Sequence, residues 1–246
     1  MEDETTNSNT PPQITWIARE VHARGANDPD ITRPWHLAKE ITRHLDTDAD
    51  TKDKMDFLTD RLLDKLESAL MYYQLIIDDD FDDRNISQKR TIYESLYSTL
   101  WSFYKGRVQN YVTKMGWNLK LFFCKEKDFD KVAAKFSKHN PEHIAMVDLA
   151  RDQRDGWQTN FGKSRNISEH SGDYRDGTSS YETKVDANRL FAQVCWTAEL
   201  LIAYCGSYKM LQDWNVTEIN PHSTVFDGDI RYVVEHAIQT AQREQS

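Results

Sequence analysis

Six consecutive residues, Arg165-Asn166-Ile167-Ser168-Glu169-His170, set a guanidinium, a carboxamide, a carboxylate and an imidazole side by side, with a glycine-containing break at 172–177 behind them. Successive α-helical residues are turned by about 100°, so Asn166 and His170 would share one face and Arg165 and Glu169 another. Arg165 would then lie about 140° from His170. The two can converge only if the helix ends within the motif, or if a second copy of the chain supplies the missing partner. The plainest reading of Arg165 and Glu169 is an i,i+4 ion pair on a solvated helix, worth about 0.3–0.5 kcal/mol.

Other residues invite metal chemistry, each with a simpler explanation. His139 and His143 are four apart, a spacing zinc sites use, but a third ligand is missing nearby and a helix start is the expected role. The carboxylates of 78–83 could attract a hard cation, yet the run lacks the spacing and glycine of a calcium loop and reads as a solvated turn. A metal-assisted site built from Glu169, His170 and Asp173 lacks a full ligand set. Cys124, Cys195 and Cys205 form no CxxC pair and sit among apolar residues, as reduced core thiols do. No metal or cofactor is expected.

The elements that must hold the central motif are helices. Apolar positions from 52 to 77 (Met55, Leu58, Leu62, Leu66, Ala69, Leu70, Tyr73, Ile76, Ile77) recur at threes and fours, which predicts a long amphipathic helix that the acidic run must break. Ser87 is the expected N-cap of a second, with Ile92, Leu96, Leu100, Phe103, Val108, Tyr111 and Met115 as its stripe. Gly116 interrupts it, and 119–123 reads as a short strand or extended connector. Helical patterns resume at 126–137, from Pro141 towards Phe161 with local weakening at Gly156 and Gly162, at 185–211, and at 227–242 after a turn at Asn220-Pro221. Ahead of all these, 1–12 reads as a disordered tail and 13–50 as short helices: one at 14–23, and one opening at Thr32 as N-cap with Pro34 in its first turn and running to about Leu45 before a polar linker at 46–51. The fold class is therefore all-α, with 51–246 forming the main bundle.

Composition agrees. The 246 residues are 39% hydrophobic and 11% aromatic, with nine Gly and six Pro, as in a helix-rich globular chain with a sizeable core. The net charge of −9 argues against non-specific attraction to nucleic acid over the whole surface, leaving room for a local basic site around Lys163, Arg165 and Arg175. No secretory signal core is evident and no stretch reads as a membrane span, so the expected location is cytoplasmic.

Arg165-Asn166 followed by His170, placed between the last two long helices of a bundle, resembles the signature of the HEPN superfamily. The resemblance covers the motif and the helix order of about 87–213; the first 80 residues have no counterpart in it. It implies a homodimer with facing motifs, and a metal-independent endoribonuclease of the kind found in toxin, phage-defence or RNA-processing systems. By that resemblance His170 transfers a proton, Arg165 holds the scissile phosphate and Asn166 orients its neighbours. A twofold interface would also bring two Arg and two His into one cleft. The sequence departs from some HEPN toxins, which carry a Tyr two residues after the His; here Ser171 and Gly172 follow. The alternative is a non-catalytic HEPN-like module that dimerises or docks an antitoxin or other partner protein.

Overall fold

The computed structural model describes residues 29–43, 48–158, 184–213 and 229–244. They form an all-α bundle, and no strand occurs among them. The helices are α1 (Pro29–Arg43), α2 (Ala49–Ile77), α3 (Ile86–Trp101), α4 (Gln109–Lys114), α5 (Lys120–Phe123), α6 (Phe129–His139), α7 (Ile144–Gln153), α8 (Lys184–Asp213) and α9 (Asp229–Glu244). Two π-helical segments, Ser102–Val108 and Arg154–Gln158, continue α3 into α4 and extend α7.

Helix α8 is the axis. From Leu190 to Ser207 nearly every side chain is buried, the polar Thr197, Glu199 and Ser207 included, so no solvent-facing stripe is left, as in a helix enclosed by others. Helices α1 and α9 pack on it, and α2, α3 and α4 also touch it. By length and hydropathy Leu190–Lys209 would suffice to cross a membrane, which the sequence reading did not expect, but 94% of that stretch is buried inside the bundle. Gly206 lets α1 come close: a Cβ there would stand 2.6 Å from Ile41 Cδ1.

Helix α2 buries the predicted stripe of Met55, Leu62, Leu66, Ala69, Leu70, Tyr73 and Ile76, leaves Leu58 partly covered and exposes Ile77. It begins at Ala49, inside the predicted 46–51 linker, because the Asp48 side chain accepts from Thr51 N at 2.9 Å and caps it. The acidic run does break the helix; Phe81 alone turns inward, edge-on to Tyr93, while the five carboxylates stay exposed.

Four local expectations are corrected. The cap of α3 is Asn85, not Ser87: Asn85 Oδ1 accepts from Gln88 N and Gln88 Oε1 accepts from Asn85 N, a reciprocal capping box that Ser87, already inside the helix, cannot make. Helix α1 opens at Pro29 and carries Pro34 in its interior, so Thr32 is not its N-cap. Residues 119–123 are neither strand nor extended connector. Gly116, at φ +90°, ends α4 in a Schellman turn (Trp117 N to Val112 O, Gly116 N to Thr113 O), and the reversed chain forms the single-turn helix α5, which buries Leu121 and Phe122. The helix expected from Pro141 to Phe161 begins as a 3-10 turn at Pro141–His143 and kinks at Gly156, whose φ/ψ of −83°/−111° is non-helical.

Candidate functional site

Arg165, Asn166 and His170, with Glu169, Asp173, Lys163 and Arg175, lie outside the described residues, as do the expected helix at 14–23 and the turn at Asn220-Pro221. What the structure describes is the pair of helical stems that carry the segment 159–183: the π-helical end of α7 on one side and the start of α8 on the other.

The first stem is held by a buried polar network. Gln153, 5% exposed, accepts at Oε1 from Trp157 Nε1 (2.6 Å) and from Thr197 Oγ1 (2.7 Å). An indole can only donate, so the amide oxygen of Gln153 must face it. The single Thr197 proton is shared with Gln193 O at 2.8 Å, one turn back in α8. The next residue, Gln158, donates through Nε2 to Tyr104 Oη at 2.9 Å, and the Trp157 ring meets Tyr104 edge-on at 5.2 Å. Tyr104 belongs to the other π-helical segment, so the two irregular segments brace each other. Burial holds the Tyr104 phenol far above its ordinary range, and it stays neutral as an acceptor for Gln158.

Arg154 completes this stem. Its guanidinium lies 3.8 Å from the centre of the Phe129 ring at the start of α6 and pairs with Asp155 at 2.9 Å, with the side chain only 19% exposed. The second stem is fixed near its start, where Tyr73 Oη on α2 donates to Asn188 Oδ1 at 2.8 Å. The described residues therefore anchor both ends of the segment 159–183 through side-chain hydrogen bonds.

The two histidines part company. His139 is exposed, its Nδ1 on Lys135 O at 2.7 Å. His143 is 3% exposed, with Nδ1 2.6 Å from Tyr204 Oη and its ring edge-to-face with Trp117, Tyr204 and Tyr208. One faces water and the other the core, so their spacing makes no metal site, and no group of three His, Cys, Asp or Glu able to hold a metal occurs among the described residues. Cys195 and Cys205 are buried thiols whose ionisation burial disfavours strongly, and Cys124 is half-buried with the same tendency.

The network of Gln153, Trp157, Gln158, Tyr104 and Thr197 was missed in the sequence. Its one legible trace lay in the stripe that runs from α3 into α4, where Phe103 to Val108 is a step of five among threes and fours, matching the i→i+5 bonding of a π turn. No protein-family model, no curated protein and no solved structure matches this chain.

Proposed function

We propose that this chain is a HEPN-like, metal-independent endoribonuclease that works as a homodimer. The observation that carries this reading is where the motif falls: Arg165-Asn166-x3-His170 lies in the connection between two helical stems of an all-α bundle, each anchored by buried or part-buried hydrogen bonds at Gln153 and Asn188. Reactive groups gain from supports of this kind, because a small displacement of a reacting atom costs much of the rate.

In this reading His170 takes the proton of a ribose 2′-OH. The freed oxygen attacks the adjacent phosphorus, the P–O5′ bond breaks, and the departing oxygen takes up a proton. Arg165 stabilises the charge that builds on the phosphate, and Asn166 orients the pair. A second copy facing the first would place two such sets in one cleft, relieving the 140° separation of Arg165 and His170 on one helix.

The test is cleavage of a labelled mixed-sequence RNA in EDTA by the wild type, His170→Ala and Arg165→Ala, with oligomeric state fixed by light scattering. Cutting by a wild-type dimer that disappears in both folded variants is the expected result. A folded wild-type dimer that leaves the RNA intact would sink the enzyme reading in favour of a non-catalytic dimerisation or partner-binding module, which Glu169, Asp173 and Asp176 around the motif would suit.

A further inference from the structure

The chain as a whole carries −9, yet residues 114–138 hold seven lysines (Lys114, Lys120, Lys125, Lys127, Lys131, Lys135 and Lys138) against three carboxylates, Glu126, Asp128 and Asp130. All seven lysines are exposed. None pairs with a carboxylate among the described residues, although ion pairs are common elsewhere on the surface.

Helix α6 arranges three of them. It buries Phe129, Ala133 and Phe136, and at about 100° per residue Lys131, Lys135 and Lys138 fall within about 60° of one another on the side roughly opposite. They succeed one another at about 6 Å and 4.5 Å along the axis, and Asp130 projects about 80° or more away from them. A solvated helix normally mixes its charges, because like charges at i,i+4 repel. Asp128 stands at the head of the same side, three residues before Lys131, but pairs with none of the three lysines; their mutual repulsion is the arrangement that a polyanion relieves.

We infer that the lysine edge of α6 is an RNA-backbone surface, on which Lys131, Lys135 and Lys138 hold phosphates of a bound strand. This assignment rests on the ribonuclease reading for its choice of RNA; the surface itself stands on charge and geometry. Its contacts are to phosphate, so it contributes affinity without sequence preference.

The test is salt-dependent binding of a fluorescent single-stranded RNA to the full chain carrying His170→Ala, in EDTA. The triple variant Lys131→Gln, Lys135→Gln, Lys138→Gln should bind roughly tenfold to a hundredfold more weakly at about 0.1 M salt, and the slope of log K against log salt should shrink by about 2, near 0.7 for each phosphate no longer neutralised. Replacing the same three by Arg should restore both, and changing Lys39, Lys52 and Lys65 to Gln should alter neither. A triple Gln variant with the parent's affinity and slope overturns the surface, as does a parent that binds no RNA at low salt. Poly-glutamate binding as tightly as RNA, with the same dependence on the three lysines, overturns the assignment to RNA and points to an acidic protein partner. The ribonuclease reading fails separately: a wild type that binds through the lysines but does not cut leaves the surface standing without the reaction.

Discussion

Thr197 Oγ1 donates to Gln153 Oε1 at 2.7 Å, a bond between the end of α7 and the middle of α8 made by residues 44 apart in sequence. The same oxygen takes the Trp157 N–H, so one buried amide orients both the stem of the motif segment and the axis of the bundle. Gln153→Leu removes that acceptor and leaves the Trp157 N–H in the interior. A loss of about 1–3 kcal/mol in urea unfolding is expected. Thr197→Val should cost less, because Gln153 keeps its bond from Trp157; equal losses in the two variants would mean that the amide is not the hub.

Gly206 sits under Ile41, and its neighbours leave no room for a methyl group. Gly206→Ala should destabilise the chain by about 1–3 kcal/mol through forced separation of α1 and α8. Ile41→Ala empties the same space, so the double variant should lose clearly less than the sum of the two single ones. Strict additivity in thermal or urea unfolding would show that α1 does not dock as described.

At Gly116 the obstacle is backbone geometry, since only the flexible end of Lys209 comes near the position of a Cβ. Gly116→Ala should cost about 1–2 kcal/mol, the usual penalty of a left-handed L-residue. Asn is the next most tolerant residue there and should cost less. If Ala proved neutral in denaturant titration, the Schellman turn would not be formed.

Burial raises Tyr104 and Tyr111 above their ordinary value of 10.0, and Cys195 and Cys205 above 9.0. Groups whose folded values are raised keep their protons in the native state while the unfolded chain loses them. Their contribution to stability is complete below about pH 9 and falls as pH rises, by about 1.4 kcal/mol per pH unit for each group ionised only in the unfolded chain. Melting temperature should therefore drop steeply above about pH 9, and Tyr111→Phe, which removes one titrating group, should flatten that fall. A flat alkaline profile in the wild type would contradict the burial of these four side chains.

The stripes of α2 and of the α3–α4 run were legible because an amphipathic helix writes its buried face at a fixed period; from Met55 to Ile76 all predicted positions but the partly covered Leu58 are buried, as are those from Ile92 to Met115. The breaks at 78–83 and Gly116 were legible for equally local reasons, charge against a helix dipole and a residue free to take positive φ. Local signals failed where two neighbouring residues competed, as Asn85 and Ser87 did for the cap of α3, and where an apolar run was too short to show a period, as at 119–123. The lysine edge of α6 stood in the sequence as a local excess of charge but was hidden by the acidic total.

By itself the sequence determined the all-α class, the main amphipathic helices and the Arg165-Asn166-x3-His170 motif, since each depends on residues within a few turns of one another. Only the tertiary structure decided that α8 is the enclosed axis, that Gln153 joins Trp157 to Thr197, and that Arg154 reaches Phe129. Those relations join residues distant in the chain through single hydrogen bonds and ring contacts. A glutamine or threonine at one position leaves the same trace in a sequence whether its partner is water or a side chain 44 residues away.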